Sequence, residues 1–175
     1  MPWTGHFVNS SVEEKVSFLS EYLKLWEISE NKESEQAFYD TLKYIVGGIC
    51  LKSEYGYVSK KAKEILKKNY KVETPLPNKK YEGLTNEHII PCKVIADFLM
   101  KKLRSNPKEL TEEYLTKVVN TINGIALITK EENKALNKAK VRTSLSPNKD
   151  VAFEDILNKK VDVKGRYSYA GIELC

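Results

Sequence analysis

Glu87-His88-Ile89-Ile90-Pro91 holds one of the two histidines in the chain, next to a carboxylate and ahead of two isoleucines and a proline. Adjacent residues of an extended segment point to opposite faces, so Glu87 can hold a cation while His88 works on a water molecule. Hydrolysing a phosphodiester takes an activated water, neutralisation of phosphate charge and support for the departing oxygen. An imidazole near neutral pH can meet the first need and a divalent ion the other two. Asn133 and Asn137 lie four residues apart, so on a helix they share a face and can reach one ion. A carboxylate with amide oxygens is a hard donor set, suited to Mg²⁺ or Mn²⁺ rather than zinc. His6 has no such neighbours and reads as a surface residue.

These side chains need elements to hold them. Residues 81–90 read as a short strand leading into the histidine turn. Val94, Ile95, Phe98 and Leu99 recur at helical spacing and predict a helix from Cys92 to Arg104, stopped at Asn106-Pro107. A second helix is expected over about residues 110–119. Gly124-Ile-Ala-Leu-Ile128 is a brief apolar run behind an Asn-Gly turn, which suits a buried strand. Thr129 with Glu132 three residues on forms a capping box that starts the helix bearing Asn133 and Asn137. The expected order is strand, long helical insertion, strand, helix.

Upstream, Ser11 and Glu14 form another capping box and open a helix over about residues 11–28. A second helical run follows, weakened near its end by Gly47-Gly48. Ser59 can cap a third helix, Lys60 to Tyr70, which Pro75 and Pro77 end. That stop divides the chain into a helical region, 1–75, and a region 76–175 with a helical insertion at 91–122. The tail predicts a short helix at 153–157 and strand structure around 166–172. The class is α+β, mostly helical.

With 175 residues, 41% hydrophobic and 30% charged, the chain fits one ordinary soluble domain or a small one with a helical extension. No apolar run approaches a membrane span, and the first residues lack a basic stretch and apolar core of the secretory kind. Cys50, Cys92 and Cys175 are odd in number, with no Cys-x-x-Cys pair; neither a disulfide framework nor a structural zinc is expected, and a reducing cytoplasm is the natural setting. Residues 1–59 carry 5 Lys/Arg against 9 Asp/Glu, a net of −4, whereas residues 60–104 carry 12 against 5, a net of +7. A basic central segment fits either a phosphate-facing surface or a solvated lysine face. Lys134, Lys138, Lys140 and Arg142, along and beyond the asparagine helix, are candidate phosphate contacts.

An acidic residue before His-Ile-Ile-Pro, an asparagine ahead of the second strand, and asparagine on a capped helix together resemble the ββα-metal motif of HNH endonucleases. The resemblance covers roughly residues 82–142 and implies a two-stranded hairpin followed by a helix. It implies that Glu87 binds metal, that His88 is the general base, and that Asn123 supports the loop and orients the base, with Asn120 a second candidate. It also implies that Asn133 is a metal ligand, and Asn137 a further helix ligand found in some members. The stretch between the strands is longer than the compact family loop, and the zinc-binding cysteine pairs of many members are absent. The implied activity is one-metal cleavage of DNA, double-stranded, to 5′-phosphate and 3′-hydroxyl ends, as in a restriction or defence enzyme. The rivals are an HNH-like nucleic-acid or protein-binding module without turnover, and an RNA-cleaving toxin. The N-terminal helices are candidates for a homodimer interface.

Overall fold

The computed structural model describes residues 7–28, 32–51, 55–77, 79–122, 124–149 and 151–175. In chain order the elements are α1 (Val12–Lys24), α2 (Lys32–Ile49), β1 (Tyr57–Val58), α3 (Lys60–Ile65), β2 (Leu84–His88), α4 (Cys92–Ser105), α5 (Glu112–Ile122), β3 (Ile125–Thr129), α6 (Lys130–Lys138), α7 (Phe153–Leu157) and α8 (Gly165–Tyr169). The class is α+β. Two compact units do not follow sequence order: Met1–Leu51 joins Cys92–Asn123, and Lys52–Pro91 joins Gly124–Cys175.

The first unit is helical. Ser11 Oγ accepts from Glu14 N–H while the Glu14 carboxylate accepts from Ser11 N–H at 2.7 Å, so the capping box satisfies two donors at the start of α1. The helix is shorter than the sequence predicts, because residues 25–28 tighten into a 3-10 turn. Leu19, Leu42, Ile49, Ile95, Leu99, Leu115 and Ile122 are fully buried, with α1 packed on α5 and α2 on α4. Helix α2 runs through Gly47-Gly48 to Ile49; the absence of a side chain on Gly48 admits the Phe7 ring, which lies 2.8 Å from where a Cβ would stand. Cys50 is buried and its thiol is pushed up, first by a hydrogen bond with Cys92 and then by burial.

The second unit holds the sheet. The strand order is β1-β3-β2, so the expected two-stranded hairpin is extended by a third strand. Strand β1 lies parallel to β3 (Tyr57↔Ala126, Val58↔Leu127), and β2 lies antiparallel to it, from Leu84↔Thr129 to His88↔Ile125. A central strand is covered on both sides, which is why every residue of Ile-Ala-Leu-Ile-Thr is buried, while in β2, at the edge, only Leu84 is buried. Because β1 pairs with β3, residues 52–75 belong with the sheet, and the boundary expected at 75/76 falls inside this unit. The prolines do not even end the third helix. It closes through a π-helical turn, residues 66–70, and Lys71 in left-handed conformation, φ 52°. Val58, Ala62, Leu66, Tyr81, Leu84 and Leu127 form a core between α3 and the sheet.

The tail departs from the sequence reading at one point. Residues 153–157 are helical as expected, but the strand expected around 166–172 is the one-turn helix α8, followed by a turn closed by Gly171 at φ 68°. Backbone bonds from Tyr167 N–H to Lys164 and from Ala170 N–H to Tyr167 close this turn locally, and the tail meets the sheet only beyond it, where Leu174 bridges to Ser59 and Cys175 exchanges backbone hydrogen bonds with Val58 of β1. Among the described residues, no helix is long and apolar enough to cross a membrane.

Candidate functional site

Strand β2 ends at His88, opposite the first residue of β3. Ile89 and Ile90, both buried, anchor the turn beyond it, and Ile89 N–H donates to Gly124 O at 3.4 Å. A Cβ at Gly124 would stand 2.7 Å from Ile89 Cδ1, so a side chain there would have to displace the end of Ile89. The histidine is half-buried, with its Nδ1 shielded from solvent. At its other end the hairpin passes straight into helix. Thr129 is both the last residue of β3 and the N-cap of α6, and Lys130 N–H donates to Gly83 O at 2.9 Å, tying the start of α6 to the start of β2.

One carboxylate organises this corner. Glu132 Oε2 accepts from Thr129 N–H at 2.8 Å and from Ser59 Oγ at 2.6 Å. Ser59 Oγ itself accepts from Ala62 N–H as the N-cap of α3. A single buried group therefore fixes the first turns of two helices and the strand ends that lead into them.

Helix α6 packs on both β2 and β3. Asn133, in its second turn, is half-buried, and its Oδ1 is buried with no hydrogen-bond partner among the described residues. Asn137 is exposed, as are Lys134, Lys138, Lys140 and Arg142; Lys140 sits in left-handed conformation, φ 59°, at the end of the helix. Asn123 lies outside the described residues, as does His6, and the alternative Asn120 is exposed on α5. The second unit thus brings Glu87, His88 and Asn133 into one strand-strand-helix arrangement.

Two functional candidates escaped the sequence reading. Glu87 Oε1 accepts from Arg166 Nη2 at 2.5 Å; the arginine side chain is 0% exposed and that of Glu87 15%. The next residue, Tyr167, donates its hydroxyl to the backbone carbonyl of His88 at 3.3 Å. Burial pushes the Tyr167 phenol up, so it stays a proton donor. Helix α8 therefore holds the side chain of Glu87 and the backbone of His88 through two consecutive residues. No sequence signal marks a pairing across 79 positions.

The donor set can be tested against a divalent ion. A buried amide oxygen without a partner is costly, and a hard cation would satisfy Asn133 Oδ1. Arg166 engages one of the two oxygens of Glu87. Among the described residues no three His, Cys, Asp or Glu cluster as a metal cage, so the fit is to a sparse site of one carboxylate with amide oxygen. Mg²⁺, which keeps most of its waters, accepts such a site.

Beside β2 an open groove of 790 Å³ is lined by Tyr70, Lys79, Lys80, Tyr81, Asn86 and Lys130, among others. Its lysines come mainly from the basic central segment. Tyr70 and Tyr81 meet edge to face at 5.1 Å.

Comparison with known proteins found no matching family model, no similar curated protein and no similar solved structure.

Proposed function

We propose that this chain is a metal-dependent endonuclease of the HNH type acting on duplex DNA. The observation that carries the reading is the passage of antiparallel β2 and β3 into α6, with Glu87-His88 at the end of one strand and the buried Asn133 oxygen on the helix. His88 takes the proton of the attacking water. Glu87 and Asn133 would hold one Mg²⁺ or Mn²⁺, with Asn137 at its outer side, and such an ion supplies charge neutralisation at the phosphate and at the departing 3′-oxygen. Asn123 is assigned the orienting of the base, as the HNH resemblance implies. Exposed Lys134, Lys138, Lys140 and Arg142 grip the DNA backbone, as does the groove beside β2. The setting proposed is the cytoplasm, in a restriction or defence role, with the N-terminal helices free to pair two copies.

Nicking of a supercoiled plasmid tests this directly. Cleavage with Mg²⁺ or Mn²⁺ and none with EDTA is expected, with RNA offered alongside degraded more slowly. Metal-independent or absent cleavage overturns the reading, and preferential loss of RNA selects the toxin instead. A module without turnover is favoured by one observation, the commitment of a Glu87 oxygen to Arg166; it predicts salt-sensitive DNA retention with no cleavage under any metal.

The groove makes a separate prediction. In the double variant Lys79→Ala, Lys80→Ala, the slope of log affinity against log salt should fall by about 2, since each lost phosphate contact removes about 0.9. A fluorescence-anisotropy titration at several salt concentrations measures it. An unchanged slope removes the groove from the interface.

A further inference from the structure

We propose that Arg166 is a positioning residue which fixes one oxygen of Glu87 and holds down the affinity of the site for a free divalent ion; this rests on the metal-site reading above. Three observations support it. The guanidinium is wholly buried, so it serves neither solvent nor an incoming nucleic acid. Its Nε and Nη1 have no acceptor among the described residues, so its only charged partner here is Glu87. Adjacent Tyr167, whose ring centroid lies 5.0 Å from the guanidinium carbon, anchors the His88 carbonyl.

A buried ion pair is weak evidence for stability, because packed apolar residues commonly replace one at no loss. Its use must then be sought in what it does to Glu87. A carboxylate held at Oε1 can offer only Oε2, in one orientation. Glu87 and Arg166 also sum to zero charge, so a dication approaching the free protein meets a neutral site at which the guanidinium repels it. The negative charge that completes the site is then the phosphate of the nucleic acid, so the ion binds well only when the substrate is present.

Mn²⁺ binding to the full chain, measured by electron paramagnetic resonance at fixed ionic strength, tests this with Arg166→Gln. The expected result is Mn²⁺ affinity about tenfold higher than wild type, together with nicking about tenfold slower because Glu87 is no longer held. A purely structural arginine predicts loss of both. Affinity unchanged or lower in a folded Arg166→Gln protein overturns the proposal. Glu87→Gln separates the two levels, since Mn²⁺ binding that survives it undoes the metal site itself. Wild-type protein supplies a measurement that needs no variant. Substoichiometric Mn²⁺ should broaden the Arg166 Nε–H resonance along with those of His88, and a sharp Arg166 signal beside a broadened His88 overturns the proposal.

Discussion

Replacing His88 by alanine should lower the single-turnover nicking rate by about two to four orders of magnitude, the usual contribution of a positioned general base, while leaving duplex affinity within a factor of about two. The separation follows from where the residue sits. His88 is held through its backbone, by pairing with Ile125 and by the Tyr167 hydroxyl on its carbonyl, and neither contact uses the imidazole. The ring is half-buried at the end of an edge strand, and the backbone contacts that hold this strand end survive truncation of the side chain. Added imidazole should restore part of the rate, because the truncated ring leaves a space at the reacting water. Quenched-flow nicking beside a gel-shift titration checks both halves. A loss of less than about threefold would remove His88 from catalysis.

Glu132→Ala should destabilise the protein by about 3 kcal/mol, since each buried polar group left unsatisfied costs about 1–3 kcal/mol. Glu132 is 5% exposed, and alanine leaves the Ser59 hydroxyl and the Thr129 N–H without their acceptor. The two groups lie at the starts of α3 and α6, so two helix ends loosen together. For a chain of this length such a loss lowers Tm by about 6–12 °C. Its neighbour Glu131 is exposed, and Glu131→Ala should move Tm by less than about 2 °C. Differential scanning calorimetry of the two variants decides the matter; equal melting temperatures would mean that the shared carboxylate contributes nothing. Because α6 carries Asn133, Glu132→Ala should also weaken Mn²⁺ binding at temperatures where the protein is still folded.

What could be read in the sequence was what is encoded locally. Ser11 with Glu14 and Thr129 with Glu132 declare helix starts because the capping partners lie three residues apart, and both boxes are present. The apolar run of β3 is likewise short-range, and that strand lies within a residue of where it is expected, while β2 occupies the middle of the stretch 81–90. Strand β1 has two residues, too few to carry a period, and only its pairing with β3 makes it a strand. The proline run at 75–77 looked like a boundary because it breaks helices, but a chain segment belongs to the unit it pairs with. Residues 166–172 are rich in tyrosine, which favours strands on propensity; local turn bonds made them helical, and burial of Arg166 against Glu87 decided their role. In the candidate site, Glu87, His88 and Asn133 were legible from residue type and spacing. The hold of α8 on Glu87 and His88 was not, because contacts across so many residues leave no trace in local pattern.

The bond from Ile89 N–H to Gly124 O has a bearing on how such a chain could change over time. It means that the chain leaves the sheet and rejoins it at neighbouring points, although the intervening residues fold with the first unit. The mouth of the hairpin is therefore a natural port for insertion. Segments of different length or content can be exchanged there with the register of β2 on β3 untouched, since closing a longer loop costs only about 0.6 kcal/mol per doubling. Lineages could thus acquire new recognition parts between the two halves of one reacting centre without rebuilding it.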